Sequence, residues 1–401
     1  MSHPELQLNH ANYVVPAEAS KWQTTYLGIG VLLALGCVAG FVMESQREQV
    51  MRGYLIGFML WLGLSLGCMV ILMIQHLSGG LWGLSIRRVL EAATRVLPLM
   101  LVLFVPIVLG RHYLYGWMSG EGVNQGNSWY LNMPFWWLRV LIYFVAWLGL
   151  AHLLNKKSAL QDEPVVGRQP RFQLLSGLGI LIYALTISFA AVDWVMSLDP
   201  HWGSTIYGMI FMTGQGLSAL AFSIIMLTVL TRYSPMREII KAEQFHDIAK
   251  LMLAFVMLFA YTSFSQWLII WSGNLPEEIS FYLARIHGGW GVVALAIILF
   301  HFALPFALLL SRSLKRDGRK MIGLALLLMF MRLVDIYWYV VPNFAHARGH
   351  FYFSLWYLIA PIAIGGLWLG FFFYNLRQRP ILPLYEPQMP SLLHQGSGHG
   401  H

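Results

Sequence analysis

The residues most able to do chemistry are ionisable side chains inside, or at the ends of, long apolar runs: Glu91, Arg95, Asp193, Arg285, His287, His301, Arg332 and Asp335, with Arg139 beside them. A charge placed in hydrocarbon is expensive, so such residues pair, face a protein interior, or carry ions and protons. Arg332 and Asp335 are three apart on one helix face and can pair directly. A structural pair and a functional one are both open there. Glu91 and Arg95, four apart, read as the inner end of a proton path. Asp193 has no partner on its own helix, whereas Arg139 and Arg285 begin helices on the side where Asp193 and Asp335 end theirs. His287 and His301 are separated by close to four helical turns and so roughly share a face. Imidazoles titrate near neutral pH, and two on one face suit proton relay. The bland reading is a core histidine bonded to a carbonyl. Asp247 and Lys250 read as a pair snorkelling to a surface.

The elements that must position these groups follow from composition. Of 401 residues, 58% are hydrophobic and 11% charged, against about 25% charged in a soluble domain. Mean hydropathy is +0.61. A soluble fold and a disordered chain are both excluded. The apolar runs are long and unbroken, which excludes the short alternating strands of a membrane barrel. Ten runs reach spanning length, near 26–43, 53–76, 90–110, 133–154, 173–198, 204–230, 248–271, 280–310, 321–341 and 352–376. The first 25 residues lack a basic leader and a small-residue cleavage site, so the first run reads as a retained span. The fold class is therefore an all-α polytopic membrane protein: a polar segment 1–25, a membrane domain 26–376 and a flexible tail 377–401. The loops on one side hold only Arg47, Arg52, Arg111, Arg285 and Arg348; most of the 26 Lys and Arg fall on the other, with both termini. This asymmetry places both termini in the cytoplasm and accounts for most of the net charge of +8.

Helices 2 and 6 share a GLS-containing run (from Gly63 and Gly216), helices 4 and 8 share an aromatic start ending in Arg139 and Arg285, and helices 5 and 9 end in VDW and VDIYW. These matches, four helices apart, predict two parallel-repeat four-helix bundles (helices 2–5 and 6–9) with helices 1 and 10 peripheral. Glycines such as Gly63, Gly67, Gly214, Gly216, Gly365 and Gly366 favour close, fixed packing. No pair of Gly/Pro-broken helices of the transporter kind is present, so a complex subunit ranks above a solute transporter.

Cys37 and Cys68 form no disulfide framework and no CxxC site. Walker A, Rossmann glycine and iron–sulfur cysteine patterns are lacking, and the chain is expected to hold no metal and no covalently bound cofactor. His76 and His152 form one conceivable haem b pair. His112, His201, His346 and His350 fall in loops and read as partner or quinol contacts; His394, His399 and His401 fall in a Gly/Ser-rich tail.

Four runs carry a family resemblance: HLSGGLWG from His76, DWVMSLDPHWGSTIYGM from Asp193, HDIAKLMLAF from His246 and AYTSFSQWLIIWSGNLPEE from Ala260. They closely resemble the NrfD-like membrane subunits of bacterial alternative complex III, a quinol:electron-acceptor oxidoreductase, over essentially the whole chain. The resemblance implies a multi-pass subunit of the bacterial cytoplasmic (inner) membrane. Its partners would be a periplasmic iron–sulfur protein, multihaem cytochromes c, a sister NrfD-like subunit and small membrane subunits, with the iron–sulfur clusters and haems c on those partners. It also implies a bound quinone, menaquinone or ubiquinone, near Arg139, Asp193, His112 and His201, with Asp193 as the family's helix-5 acid. In the sister subunit a helix-5 histidine about two turns before that acid serves the quinol. Here the stretch reads TISFAAVD, with Ile187 six positions before Asp193. Quinol oxidation needs a base to take the proton. The expected role is therefore a proton-conducting path and scaffold beside the quinol site, with quinol binding near the periplasmic face as the alternative. A purely structural scaffold or a haem-b cytochrome is the reading of another class.

Overall fold

The computed structural model describes residues 13–120, 127–162 and 171–397, the side chains of 394–397 excepted. The tail histidines and Arg168 lie outside the described side chains. Among the described residues ten helices are long and apolar enough to span a membrane: α1 Glu18–Val42, α2 Glu44–Ser78, α3 Leu81–Leu109, α4 Met133–Ala159, α5 Gln173–Leu198, α6 Tyr207–Leu230, α7 Ala242–Gly273, α8 Trp290–Leu310, α9 Gly318–Asn343 and α10 Trp356–Leu376. No strand occurs among the described residues. The protein is an all-α polytopic membrane protein.

α2 and α6 are the buried centre: 94% of the apolar window of α2 and 89% of that of α6 lie inside the protein, against 17% for α1 and α8. α2 packs on α3, α5, α6, α9 and α10, while α6 also meets α5, α7 and α9. α1 packs chiefly on α10, which lies against α2, and touches α2 directly as well. The remaining faces carry exposed Leu, Ile, Val and Phe, as a lipid-facing surface requires, since lipid exerts no hydrophobic drive against them.

Small residues set the crossings. At the α1–α10 contact a Cβ on Gly30 would lie 2.7 Å from the Gly366 carbonyl carbon, so the two backbones touch. At the α2–α6 contact a Cβ on Gly67 would overlap the Gln215 backbone carbonyl, while one on Gly63 would sit 3.2 Å from the Gln215 side chain. Gly67→Leu is expected to destabilise the protein by at least about 1–3 kcal/mol, the usual cost of overpacking. A lowered unfolding midpoint in detergent checks this, and an unchanged midpoint refutes the contact.

Local chemistry explains the helix limits. Gly79 and Gly80, at φ +67° and +96°, stop α2 and turn the chain into α3. α3 is interrupted at Arg95–Val96, where Pro98 cannot donate to the Thr94 carbonyl. Asn132 caps α4 by accepting from the Phe135 amide at 3.0 Å, and Asp317 caps α9 by accepting from the Arg319 amide at 2.9 Å. In α8 a π-helical turn covers Ile297–Ala303; Pro305 follows it and lacks the amide that would bond the His301 carbonyl.

Three expectations are corrected here. α3 begins at Leu81 rather than near 90, so Arg87 and Arg88, read as loop charges, are buried helix residues. The run read as one helix from 280 is two: a short helix Pro276–Ile286, then α8 from Trp290, separated by Gly288 and Gly289 at φ +58° and +97°. The segment after α10, read as a flexible tail, packs back on the bundle. Its Ile381, Leu382, Leu384, Met389 and Leu392 are buried, and the Ile381 amide donates to the Tyr13 carbonyl at 2.8 Å. The segments around Tyr13 and Ile381 therefore meet at one end of the bundle.

Candidate functional site

Three buried polar clusters emerge. The first lies at the end of the bundle away from the termini, where α4 starts and α5 stops. Asp193, fully buried, receives Arg139 through Nε at 2.8 Å and Nη2 at 2.7 Å, and Tyr143 through its hydroxyl at 2.6 Å. Arg139 also donates to the Tyr130 carbonyl at 3.0 Å and lies over the Tyr130 ring at 3.9 Å. A bidentate guanidinium–carboxylate pair with cation–π cover is the arrangement that lets both charges leave water. Trp194, next in sequence, packs among Phe58, Phe104, Tyr143, Phe144 and Trp147, which seals this pair from below. Beside it lies a cavity of about 300 Å³, walled by Tyr130, Phe189, Met196, Ser197 and Trp202.

The second cluster lies on α9. Arg332 donates to Asp335 at 2.5 Å, and both are buried. The guanidinium lies 5.2 Å from the Phe211 ring centroid of α6, and a Cβ at Gly214 would collide with it, so the glycine makes its berth. The π-helical turn of α8 packs against α9. It holds His301, buried, 4.4 Å from the Phe259 ring and within electrostatic reach of Arg332. His301 Nδ1 has no hydrogen-bond partner among the described residues. A buried imidazole nitrogen left unpaired is costly and calls for water or a transient partner.

The third cluster is at the end that carries the termini. Glu91 accepts from Arg87 at 3.2 Å, Arg88 at 2.6 Å and Ser158 at 2.5 Å, with Arg379 of the returning tail at 3.7 Å. Arg87 continues to Glu386 at 2.9 Å, and Arg88 also bonds Asp162.

Several expected partners are not brought together. Arg95 does not pair with Glu91; it donates to the Asn375 carbonyl at 2.5 Å and to Gln378 at 3.3 Å. Arg285 does not serve Asp335. It bonds the carbonyls of Phe281, Trp338 and Tyr339 and the Asn343 amide oxygen, and lies 3.6 Å over the Phe281 ring. Burial pulls its guanidinium down to about 10. His287 is an exposed, extended residue between two helices, so it shares no helix face with His301. His112 and His201 are exposed and make no contact with Arg139 or Asp193. His346 rests on Arg52 at 2.9 Å, and its pKa is lowered, first by burial and then by that cation. His76 bonds Ser176 at 3.0 Å, whereas His152 lies on an exposed helix face. Among the described residues no group of three or more His, Cys, Asp or Glu side chains is placed to hold a metal ion.

The fold and these clusters define a multi-pass membrane protein with buried, paired charges at both ends of its helices. No family model matches the chain, and no curated protein matches it.

Proposed function

We propose that this protein is a membrane subunit of a quinol-oxidising electron-transfer complex of the alternative complex III type, supplying a scaffold of helices and a polar proton path. The motif resemblance supports the complex, and the α8–α9 cluster supports the path. Its carrying observation is the buried Asp335–Arg332 pair beside a π-helical turn whose His301 Nδ1 is unpartnered. An acid held by one cation and an imidazole with a nitrogen unpartnered among the described residues are both able to give up and take a proton, and π-bulges gather at functional sites. Iron–sulfur clusters and haems would reside on partner subunits in the bacterial inner membrane.

The test uses the complex purified from membranes and reconstituted in vesicles. His301→Leu and Asp335→Asn are each expected to leave assembly intact and slow the proton release accompanying quinol oxidation by about a hundredfold, the low end of the range for one acid–base group. Unchanged turnover and stoichiometry in both variants refute the path. Loss of assembly in both assigns the pair to scaffolding.

A second reading, quinol binding by this chain, rests on the cavity of about 300 Å³ beside Tyr130 and Ser197. It places an apolar-walled space next to the Arg139–Asp193 pair, at the low end of small-ligand site volumes.

A further inference from the structure

A second cavity lies at the opposite end of the molecule and takes no part in the proposed path. It has a volume of about 420 Å³ and opens where α2 ends, α5 begins and the returning tail crosses. Its walls include Gln75, His76, Arg87, Arg171, Phe172 and Glu386.

Two of these side chains are incompletely bonded. Gln75 is 5% exposed and its Oε1 has no partner among the described residues; His76 is 8% exposed and its Nε2 likewise has none. His76 itself is held in place, with Nδ1 on Ser176 at 3.0 Å and its ring stacked on Phe172 at 4.3 Å. Phe172 in turn lies 4.8 Å from the Arg87 guanidinium. Native interiors rarely leave such atoms unpaired, and those that remain point to a missing water, ion or ligand. The cavity carries two guanidiniums against one carboxylate. Arg87 is already shared between Glu91 and Glu386, whereas Arg171 is exposed and has no ion pair among the described residues. Its guanidinium is thus the available anion contact.

Matching donors to acceptors narrows the occupant. Arg171 calls for an anionic oxygen, best a phosphate. Gln75 Oε1 accepts only, so it needs a donor, and His76 Nε2 can take either role. A free phosphate ion has a hydroxyl of its own to donate but fills only a small part of a cavity of about 420 Å³. A quinone ring offers acceptors but no donor to Gln75, and a quinol, which has hydroxyl donors, brings no anionic oxygen to Arg171. A phosphate ester carrying neighbouring hydroxyls supplies all three contacts. Basic pockets between membrane helices at the interface bind anionic headgroups in the same way. We infer that this cavity binds a polyol phosphate ester, with the phosphate on Arg171 and hydroxyls on Gln75 and His76. Two sources share that chemistry: the headgroup of phosphatidylglycerol and free glycerol phosphate.

The experiment measures ligand retained by the full-length protein in mild detergent by native mass spectrometry. The probes are dioleoyl-phosphatidylglycerol, dioleoyl-phosphatidylcholine and sn-glycerol 3-phosphate, each added alone. Phosphatidylglycerol retained severalfold over phosphatidylcholine identifies the lipid source. Retention of glycerol 3-phosphate without a preference for phosphatidylglycerol identifies the free ester. Arg171→Gln, a surface change, is expected to weaken the retained ligand about tenfold, the loss of one charge-assisted hydrogen bond. Gln75→Leu is expected to weaken it again, with the unfolding midpoint recorded for each variant. Equal retention of both lipids with no binding of glycerol 3-phosphate overturns the assignment. So does a preference that survives Arg171→Gln and Gln75→Leu in folded protein.

Discussion

Replacing Arg139 with Met is expected to destabilise the protein by about 3–5 kcal/mol, because it strands a carboxylate in a buried site. Asp193 is fully buried and keeps only the Tyr143 hydroxyl once the guanidinium is gone. Trp194 and its aromatic neighbours close the side toward the core. The methionine retains most of the arginine stem's volume, so lost packing is a minor contribution. The cost is charge, and charge can be removed. The double variant Arg139→Met, Asp193→Leu is expected to recover much of the loss, since apolar replacements for buried pairs are often neutral or better. Unfolding midpoints of wild type, both single variants and the double variant form a cycle that isolates the coupling. Additive losses would mean that the pair contributes no coupling and that Arg139 acts through Tyr130 and Phe135 alone.

How much of this was legible in the sequence depended on whether the signal was local. The ten spans were legible because hydropathy needs only a window of neighbours. The Arg332–Asp335 pair was legible because both residues lie on one helix, three apart. The Arg139–Asp193 pair joins α4 to α5, and nothing in either helix's own spacing fixes how the two are rotated toward each other. The two residues are legible as an acid and a base at the same side of one bundle, but their direct bidentate contact is not. The Glu91 network was missed for another reason. Arg87 and Arg88 were assigned to a loop because an apolar window discounts charges, yet the Gly79–Gly80 turn marks the true start of α3. The His287–His301 relay failed on a signal that was present: consecutive glycines after His287 break a helix. Tertiary capture of the tail, through Tyr13 and Glu386, had no local signature at all.

The last of these findings yields the second large effect. Glu91→Gln is expected to destabilise the protein by about 3–5 kcal/mol, although it changes neither shape nor volume. Glu91, Asp162 and Glu386 stand against Arg87, Arg88 and Arg379, a balanced set of three carboxylates and three guanidiniums. Glu91 is the member they share: it is fully buried and touches all three cations, whereas Glu386 is partly exposed. Neutralising it leaves an excess cation in the interior, and Arg87 and Arg88 must each fall back on a single remaining acid. The tail should respond with the core, because Arg379 loses its only ion pair among the described residues while Arg87 keeps Glu386. Trypsin is therefore expected to cut after Arg377 faster in the variant than in wild type, alongside a lowered unfolding midpoint. The exposed Asp247–Lys250 pair is the internal comparison. Asp247→Asn should change the midpoint little, since exposed pairs contribute about 0–1 kcal/mol. Equal effects from Glu91→Gln and Asp247→Asn would show that the buried network does not hold the tail, and that its apolar contacts through Ile381, Leu382 and Leu384 suffice.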